Sequence, residues 1–389
     1  MGNFSVVKSI AEINEKIKSG KVVVVTAEEM TALVKKEGEV AAARRVDVVT
    51  TGTFGPMCSS GAFLNFGHTK PRIRASKILM NRVPAYGGIA AVDLYIGVTE
   101  PTIDDPLNKV FPGQFPYGGG HVIQDLVSGK KVDLDLESYG TDCYPNRGLK
   151  KAMRLKDFPY AMLTNPRNAY QNYNVAVNTG DRTLYTYMGI LGPKFSNANY
   201  CSAGELSPLM NDPLFKTIGL GTRIFLGGGV GYVVWHGTQH NPKPNRGVKG
   251  VPTVPAGTLS VMGDLKGMNG RNLVGVSFIG YGCSMAVGLG IPIPILNEEM
   301  AYHTSIADDE IQAPIVDYAV DYPQMTGRVL GYTTYGALKT GTITFEGKEI
   351  QTVPLSSRVR AQEIAAALKE WIEKGSLTLT EPQVLLPSK

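Results

Sequence analysis

The sequence has few cysteines, only four in 389 residues, and no two of them form a CxxC pair. A secreted disulfide framework needs closely spaced cysteines in a short chain, so we expect free thiols in a reducing compartment. The sequence also lacks a strong charge bias, since 39 basic and 34 acidic residues leave a net charge of +5. This balance gives no support for a nucleic-acid-binding or membrane-binding protein.

Targeting signals and membrane spans are also missing. The N-terminus has no apolar segment typical of a secretory signal, which predicts a cytoplasmic protein. Residues 274–296 carry no charge, but they contain several glycines together with Pro292 and Pro294. We therefore predict buried strands and loops there rather than a membrane helix.

Local signals in the first sixty residues predict alternating helices and strands. Ser9 with Glu12 and Thr26 with Glu29 form two capping boxes, each at the start of a predicted helix. Apolar runs at 21–25 and 46–50 predict buried strands. We predict an α/β fold, with a mixed α+β arrangement as the alternative.

The domain organisation rests on a weak internal similarity. Residues 129–166 and 347–382 share a predicted strand, helix and strand order, which indicates a possible duplication. We predict one large domain or two lobes, with a core over residues 1–326 and a C-terminal α/β unit over residues 327–389 packed on it.

Two cysteines lie in polar loops, where a thiol is available for chemistry. Cys58 follows the predicted strand at 46–50 and is flanked by glycines and hydroxyl residues. Cys143 precedes a helix predicted near Gly148, and Arg147 lies four residues on. A helix N-terminus and a guanidinium both favour a thiolate, although Asp142 opposes it. An inert buried thiol is the alternative for each cysteine.

Metal and nucleotide sites find little support. His236 and His240 are four residues apart, but Gly237 and the following Asn-Pro disfavour the helix that would align them on a metal. The glycine-rich segments lack a phosphate-binding motif and are interpreted as packed turns. His68 and His121 are candidate proton carriers.

Several motifs together carry a family resemblance, namely MCSSG at 57–61, TDCYPNR at 141–147, YCSAGELSPLMNDP at 200–213 and GYGCSMAVGLGIPIPILNEE at 280–299. They resemble the homocysteine biosynthesis enzymes with the sulfur-incorporation domain, the L-aspartate semialdehyde sulfurtransferases. The likeness runs over roughly residues 5 to 380, and it makes 1–326 the sulfur-incorporation core. The paired CBS domains that some archaeal members append are absent.

The resemblance implies insertion of sulfide-derived sulfur into L-aspartate semialdehyde to form L-homocysteine. The carrier would be a cysteine persulfide, and the two cysteines that family members require fall on Cys58 and Cys143. A ferredoxin-like electron donor is implied as a partner, and a homo-oligomer is left open. No cofactor is certain, but Cys201 and Cys283 are candidate ligands of an iron-sulfur cluster.

This chemistry needs groups that bind the substrate. Backbone amides at Ser59, Ser60 and Gly61 are candidate donors to the developing alkoxide. The remaining candidates are Arg82 and Arg147 for the carboxylate, and Glu205 and Asp93 for the ammonium group. The alternatives are a non-catalytic sulfur carrier, a thiol redox-sensing module or a thiol acyltransferase.

Overall fold

The structure is a computed structural model that describes residues 4–107, 109–320 and 327–387. The helices are α1 (Ile10–Lys18), α2 (Ala27–Glu37), α3 (Glu39–Arg45), α4 (Gly119–Val127), α5 (Pro208–Asn211), α6 (Glu298–His303), α7 (Tyr335–Lys339) and α8 (Arg358–Glu373). The strands are β1 (Val24–Thr26), β2 (Val48–Thr50), β3 (Thr53–Pro56), β4 (Gly61–Asn65), β5 (Lys77–Met80), β6 (Val83–Tyr86), β7 (Asp93–Gly97), β8 (Val132–Glu137), β9 (Gly148–Met153), β10 (Tyr160–Asn168), β11 (Val175–Val177), β12 (Leu184–Thr186), β13 (Gly189–Leu191), β14 (Asn197–Tyr200), β15 (Gly219–Leu220), β16 (Arg223–Leu226), β17 (Gly229–His236), β18 (Leu259–Asp264), β19 (Leu273–Phe278), β20 (Gly282–Gly290), β21 (Pro292–Pro294), β22 (Gln312–Asp317), β23 (Arg328–Thr334), β24 (Thr342–Phe345), β25 (Lys348–Pro354) and β26 (Val384–Leu385).

The two predicted capping boxes are confirmed. Ser9 accepts a hydrogen bond from the Glu12 amide at the start of α1, and Thr26 does the same with Glu29 at the start of α2. The apolar runs that follow form β1 and β2, which pair in parallel. These elements formed as predicted because each signal acts within a few residues. The mixed α/β class is confirmed.

Half of the described strands belong to one large sheet. In the described residues its order is β19-β20-β16-β17-β18-β10-β4-β7-β6-β5-β8-β9, and β3 also pairs with β20. Helix α4 packs against strands from distant parts of this sheet, including β19, β4 and β8. Val122, Ile123 and Leu126 are fully buried in that contact. The sheet therefore curves around α4 and places its core there.

The uncharged segment at 274–296 forms strands, as predicted. It contributes β19, β20 and β21, and β20 is almost entirely buried. A strand that is covered on both faces has a continuous apolar sequence, which explains the missing charges. Among the described residues, none of the helices is both long and apolar enough to span a membrane.

A second sheet joins the middle and the C-terminal part of the chain. Its order is β23-β22-β11-β14-β25-β24, with β11–β22 and β14–β25 in parallel. Its strands come from both sides of the predicted boundary at residue 327. Helix α8 then packs against β3 and β20 of the large sheet and against β1. The chain forms one interleaved unit, and the boundary at residue 327 stays a prediction.

The internal duplication is not confirmed, and one predicted helix is wrong. Residues 148–153 form β9, an edge strand paired with β8 at six positions, whereas the corresponding part of the second copy forms α8. Backbone pairing with the exposed edge of β8 outweighs the moderate helix propensity of this lysine-rich segment. Cys143 therefore lies in a hairpin connection and not at a helix N-terminus.

A buried carboxylate ties the N-terminal segment to the core. Asp47 accepts hydrogen bonds from Lys16 Nζ at 2.6 Å, Lys8 Nζ at 2.9 Å and the Val23 amide at 3.0 Å. Burial alone raises the pKa of this carboxyl, but these donors outweigh it, so the pKa of Asp47 lies below its ordinary value. The ionised form therefore stabilises the fold above pH about 4, and this stabilisation is lost as the pH falls through the lowered pKa.

We expect Asp47→Asn to lower the free energy of unfolding by about 1.5–3 kcal/mol at pH 7, because it removes charge-assisted hydrogen bonds from a buried site. The difference from the wild type should shrink below pH about 4. Urea unfolding at pH 7 and at pH 3 measures both effects. The control is Asp181→Asn, which breaks the exposed pair with Lys194 and should cost less than about 0.5 kcal/mol. Equal losses in the two variants would contradict the assignment.

Candidate functional site

Cys58 lies in a tight turn between β3 and β4. The Ser60 amide donates to the Met57 carbonyl at 3.1 Å, which closes the turn, and the Met57 amide donates to Met285 of β20 at 2.8 Å. The carbonyl of Ser60 accepts from the Val98 amide at 3.0 Å. The turn is held by strands on both sides, so the position of the thiol is fixed by the backbone.

The serines that follow Cys58 anchor the turn to β10. Ser59 Oγ lies 2.8 Å from Asn165 Oδ1 and 3.2 Å from the Arg167 carbonyl. Ser60 Oγ accepts from Asn165 Nδ2 at 2.7 Å. The predicted substrate-binding role of these serines stays a prediction, but the hydroxyl groups and the Ser60 amide already have protein partners.

Gly61, also predicted to bind substrate, is buried at the start of β4. A Cβ at this position would lie 2.2 Å from the hydroxyl of Tyr95, so only glycine permits this close approach. The structure thus gives Gly61 a packing role, and a role in substrate binding stays a prediction.

Three side chains from other elements surround Cys58. Ser284 Oγ of β20 lies 3.2 Å from Cys58 Sγ. Tyr281 lies in the β19–β20 connection, where burial raises the pKa of its phenol and negative charge on Cys58 adds to the increase. Cys201 follows β14 of the second sheet, and its Sγ would be 3.3 Å from a Cβ on Gly55 of β3. We refer to Cys58, Ser284, Tyr281 and Cys201 as the Cys58 cluster.

Cys201 is the thiol of this cluster that stays protonated. Burial, together with a smaller effect of negative charge on Cys58, raises the pKa of Cys201 to about 12. Two neighbouring thiols of this kind do not ionise together, since the first thiolate opposes the second. At neutral pH, Cys201 is therefore a weak nucleophile.

Tyrosines beside β11 and β22 and in the β12–β13 turn continue the cluster. The hydroxyl of Tyr187 lies 2.9 Å from that of Tyr318 and 3.1 Å from that of Tyr173, and the rings of Tyr187 and Tyr281 are 6.1 Å apart. Burial, and then the neighbouring phenols Tyr187 and Tyr318, raise the pKa of Tyr173. The phenol of Tyr173 therefore remains protonated at neutral pH and donates its hydrogen bond to the Tyr187 hydroxyl.

Cys143 is exposed in the connection between β8 and β9. Its Sγ lies 3.6 Å from Thr141 Oγ1. The β8 strand is four strand steps from β4, through β7, β6 and β5, or about 19 Å along the sheet at about 4.8 Å per step.

The register also separates the two thiols along the strands. A row of paired residues runs across the sheet from Phe63 of β4 to Glu137 of β8, through one residue each of β7, β6 and β5. Cys58 lies on one side of this row, beyond the Gly61 end of β4. The connection that carries Cys143 leaves β8 on the other side of the row. Within one chain, the structure does not bring Cys58 and Cys143 together.

The predicted substrate-binding charges are also dispersed. Arg82 pairs with Asp104 at an exposed turn, and Arg147 is exposed in the Cys143 connection. Glu205 pairs with Arg358 at 3.3 Å, and Asp93 accepts from Asn65 at the far end of β4. Burial, and then the charge of Asp308, raise the pKa of Glu205. None of these groups is in the Cys58 cluster, and their binding roles stay predictions.

The histidines lie away from Cys58 as well. His121 of α4 faces Ser277 of β19 at 3.4 Å, and burial lowers the pKa of its ring. His68 is exposed beyond β4. His240 interacts with the carbonyls of Thr258 and Pro387. The roles of His68 and His121 as proton carriers stay predictions.

An iron-sulfur cluster on Cys201 and Cys283 does not fit the structure. Cys283 is adjacent to Ser284 on β20, and successive strand residues face opposite sides, so it points away from the Cys58 cluster. Its Sγ lies 3.6 Å from the Phe115 carbonyl. The described part of the chain holds no group of three or more His, Cys, Asp or Glu residues suited to a metal ion.

Sequence reasoning missed the partners of Cys58 that come from distant strands. Ser284 and Tyr281 belong to the glycine-rich segment at 280–284, which we interpreted as a packed turn. Arg167, Tyr170 and Tyr173 belong to the segment at 167–173, which has no catalytic motif. The polar and aromatic composition of this segment, directly after an apolar strand, was the one signal that could have indicated a site.

A surface hollow of about 580 Å³ lies apart from this site. It is lined at the end of α4 by Leu126, Arg154, Lys156 and Lys266, among others. None of the predicted site residues contributes to it. Its size therefore does not identify it as the active site.

Comparisons with known proteins agree with the motifs in the sequence. The chain is 48% identical over 97% of its length to the L-aspartate semialdehyde sulfurtransferase of Methanocaldococcus jannaschii, of which it covers 72%. It is 48% identical over 96% of its length to the protein of the same name from Methanosarcina acetivorans, of which it covers 71%. An uncharacterized protein of Methanothermobacter thermautotrophicus is 27% identical over 87% of the chain and is covered to 74%.

No solved structure matches this chain significantly. The model of the family described as homocysteine biosynthesis enzyme, sulfur-incorporation, matches residues 22–379, which is most of the chain. With Cys58 fixed at the meeting point of two sheets and these relatives aligned over nearly the whole length, the chain belongs to the homocysteine biosynthesis enzyme family.

Proposed function

We propose that this chain is an L-aspartate semialdehyde sulfurtransferase in which Cys58 carries the sulfur as a persulfide. The product is L-homocysteine. The observation that carries the proposal is the 48% identity, over nearly the whole chain, to two relatives named for this activity. The fixed turn and the hydroxyl groups around Cys58 support its role.

The choice of Cys58 follows from the surroundings of the four thiols. Cys283 is 1% exposed, and burial raises its pKa to about 11. The pKa of Cys201 is raised further, to about 12. Thiolates, not thiols, attack sulfur and carbon, so these two are disfavoured as carriers. Cys143 is exposed, and its one hydroxyl contact among the described residues is Thr141 Oγ1 at 3.6 Å, whereas Ser284 Oγ lies 3.2 Å from Cys58 in a half-buried site.

The proposed cycle begins with a disulfide between Cys58 and Cys143. Sulfide attacks the Cys58 sulfur, which leaves a persulfide on Cys58 and a free thiol on Cys143. The terminal sulfur adds to the aldehyde carbon of the substrate, and the carbonyl oxygen becomes an alkoxide. The hydroxyls of Ser284 and Tyr281 are the O–H donors positioned to stabilise that charge.

The Cys143 thiolate then attacks the Cys58 sulfur. This step restores the disulfide and releases a hydroxythiol, which loses water to give a thioaldehyde. Two electrons and two protons reduce the thioaldehyde to the thiol of homocysteine. Each turnover consumes one sulfide and two electrons. We propose a ferredoxin-like protein as the electron donor.

We propose that Cys143 reaches Cys58 from a second copy of the chain. Four strand steps and the opposite strand ends separate the two residues within one chain. The connection that carries Cys143 is also held in place, since the Asn146 amide donates to the Arg72 carbonyl at 3.1 Å. An exposed hairpin tip is well placed to enter a neighbouring molecule, which makes the enzyme a homo-oligomer.

The thiol pKa values predict selective alkylation. At pH 8, a pKa of about 12 leaves roughly one Cys201 in ten thousand as the thiolate, so iodoacetamide should label Cys58 and Cys143 first. Mass spectrometry of the reduced native protein measures the order. Unfolding the protein in urea should remove the difference. Labelling of Cys201 before Cys58 in the native protein would contradict the assignment of the carrier.

We expect Cys58→Ser and Cys143→Ser to lower homocysteine formation by about 10³-fold or more, since neither remaining thiol of the pair completes the cycle alone. The assay contains sulfide, the semialdehyde and a low-potential chemical reductant, and homocysteine is measured directly. Cys201→Ser should have a much smaller effect, and Cys283→Ala is the control outside the cluster. Circular dichroism checks the fold of each variant.

Two results would count against this function. Full activity of either Cys58→Ser or Cys143→Ser would rule out the two-thiol cycle. A wild-type protein that accepts sulfur on Cys58 but forms no homocysteine would support the non-catalytic sulfur carrier instead.

The contribution of a second copy predicts complementation between inactive variants. Differently tagged Cys58→Ser and Cys143→Ser chains are co-expressed, and the mixed species is isolated through both tags. In a symmetric dimer it should show about half of the wild-type activity, because one of its two sites has both thiols. Mixed dimers that remain inactive would show that Cys143 does not act from the neighbouring chain.

A further inference from the structure

Arg167 is fixed beside the Cys58 turn by its own backbone. It lies at the end of β10, where its carbonyl is 3.2 Å from Ser59 Oγ and its amide donates to Asn165 Oδ1 at 2.9 Å. The same Asn165 oxygen is 2.8 Å from Ser59 Oγ. These contacts fix the Cα of Arg167 relative to the residue that follows the thiol.

The guanidinium group of Arg167 lies among the same phenols as Cys58. Its positive charge acts on the phenols of Tyr170 and Tyr281, so the group lies near both. Tyr281 in turn is close enough to Cys58 to respond to charge on its sulfur. Tyr281 is therefore close to both the Arg167 cation and the thiol of Cys58.

This cation has no carboxylate partner in the described part of the chain. The other half-buried arginines there have partners: Arg360 pairs with Glu363, and Arg223 and Arg246 donate to backbone carbonyls. A half-buried guanidinium without an acidic partner is a favourable site for an anionic group.

The strand is irregular at this point and presents a second polar group. The register with β18 shifts between Asn165 and Asn168, so β10 bulges around Arg167. Asn168 is fully buried, and within the described residues neither its Nδ2 nor its Oδ1 has a hydrogen-bond partner. Buried amides are nearly always paired, so this one is available to a small polar molecule at the bulge.

We propose that Arg167 binds the carboxylate of the amino-acid aldehyde substrate and so orients the aldehyde carbon toward the sulfur on Cys58. This inference rests on the proposed function, because it assumes that the aldehyde reacts at Cys58. The planar guanidinium bonds both carboxylate oxygens, which fixes the direction of the substrate as well as its position. Arg167 is thus a substrate-binding residue, in place of the predicted Arg82 and Arg147.

The test compares two aldehydes that differ only in the group Arg167 would bind. L-Aspartate semialdehyde carries the carboxylate, and 3-aminopropanal lacks it. We expect Arg167→Gln to raise KM for the semialdehyde about tenfold or more, since a charge-assisted bidentate contact is lost. Turnover of 3-aminopropanal should stay within about twofold of the wild type. Arg167→Lys, which keeps the charge but not the fork, should give an intermediate KM.

Two controls separate binding from structural damage. Arg44→Gln, at an exposed position of α3, should leave both substrates unaffected. Loading of sulfur onto Cys58 from polysulfide should be unchanged in Arg167→Gln and Arg167→Lys, since that step does not involve the substrate carboxylate. If Arg167→Gln does not fold, the KM of Arg167→Lys, together with intact sulfur loading, provides the test.

The failure of this inference is distinct from the failure of the proposed function. A wild-type KM in Arg167→Gln, or an equal loss of activity on both aldehydes, would overturn the role of Arg167 while homocysteine formation by the wild type stands. If the wild type forms no homocysteine, the proposed function fails and the role of Arg167 fails with it.

Discussion

The site depends on the pairing of β3 with β20 and of β4 with β10, because these ladders hold the turn that carries Cys58 between them. A nucleophile on a free loop loses conformational entropy each time it reacts, whereas this turn is already fixed. The same pairing brings Ser284 of β20 to 3.2 Å from the sulfur and anchors Ser59 to β10. The chemistry of Cys58 is thus supported by strands from three distant parts of the chain.

The second sheet and the β12–β13 hairpin bring polar groups to the site. Tyr173 and Tyr318 lie beside strands of that sheet, and Cys201 meets the large sheet at β3, where Gly55 leaves room for its sulfur. Burial raises the pKa values of Tyr173 and Tyr281, so these phenols are hydrogen-bond donors over the physiological pH range. The backbone of Arg167, from the bulge at the end of β10, adjoins the Cys58 turn through Ser59.

The position of Cys143 shows how a sheet can separate the two residues that the proposed mechanism brings together. Both thiols lie in connections of the same sheet, but four strand steps and opposite strand ends lie between them. The exposed hairpin that carries Cys143 is suited to contact a neighbouring molecule. An active site completed by a second copy would couple activity to assembly, which is a consequence of sheet register and not of any local motif.

The sequence alone determined the features that depend on neighbouring residues: the capping boxes of α1 and α2, the buried strands at 274–296, the mixed α/β class, and Cys58 in a polar turn. Its motifs also indicated the correct family. It did not predict β9, because the pairing of residues 148–153 with β8 outweighs local helix propensity. Only the tertiary structure placed Ser284 and Tyr281 beside Cys58 and the backbone of Arg167 beside Ser59, and it left Cys143 on a different part of the sheet. The physical reason is that strand order and register, which set those distances, depend on backbone pairing between residues that are far apart in the chain.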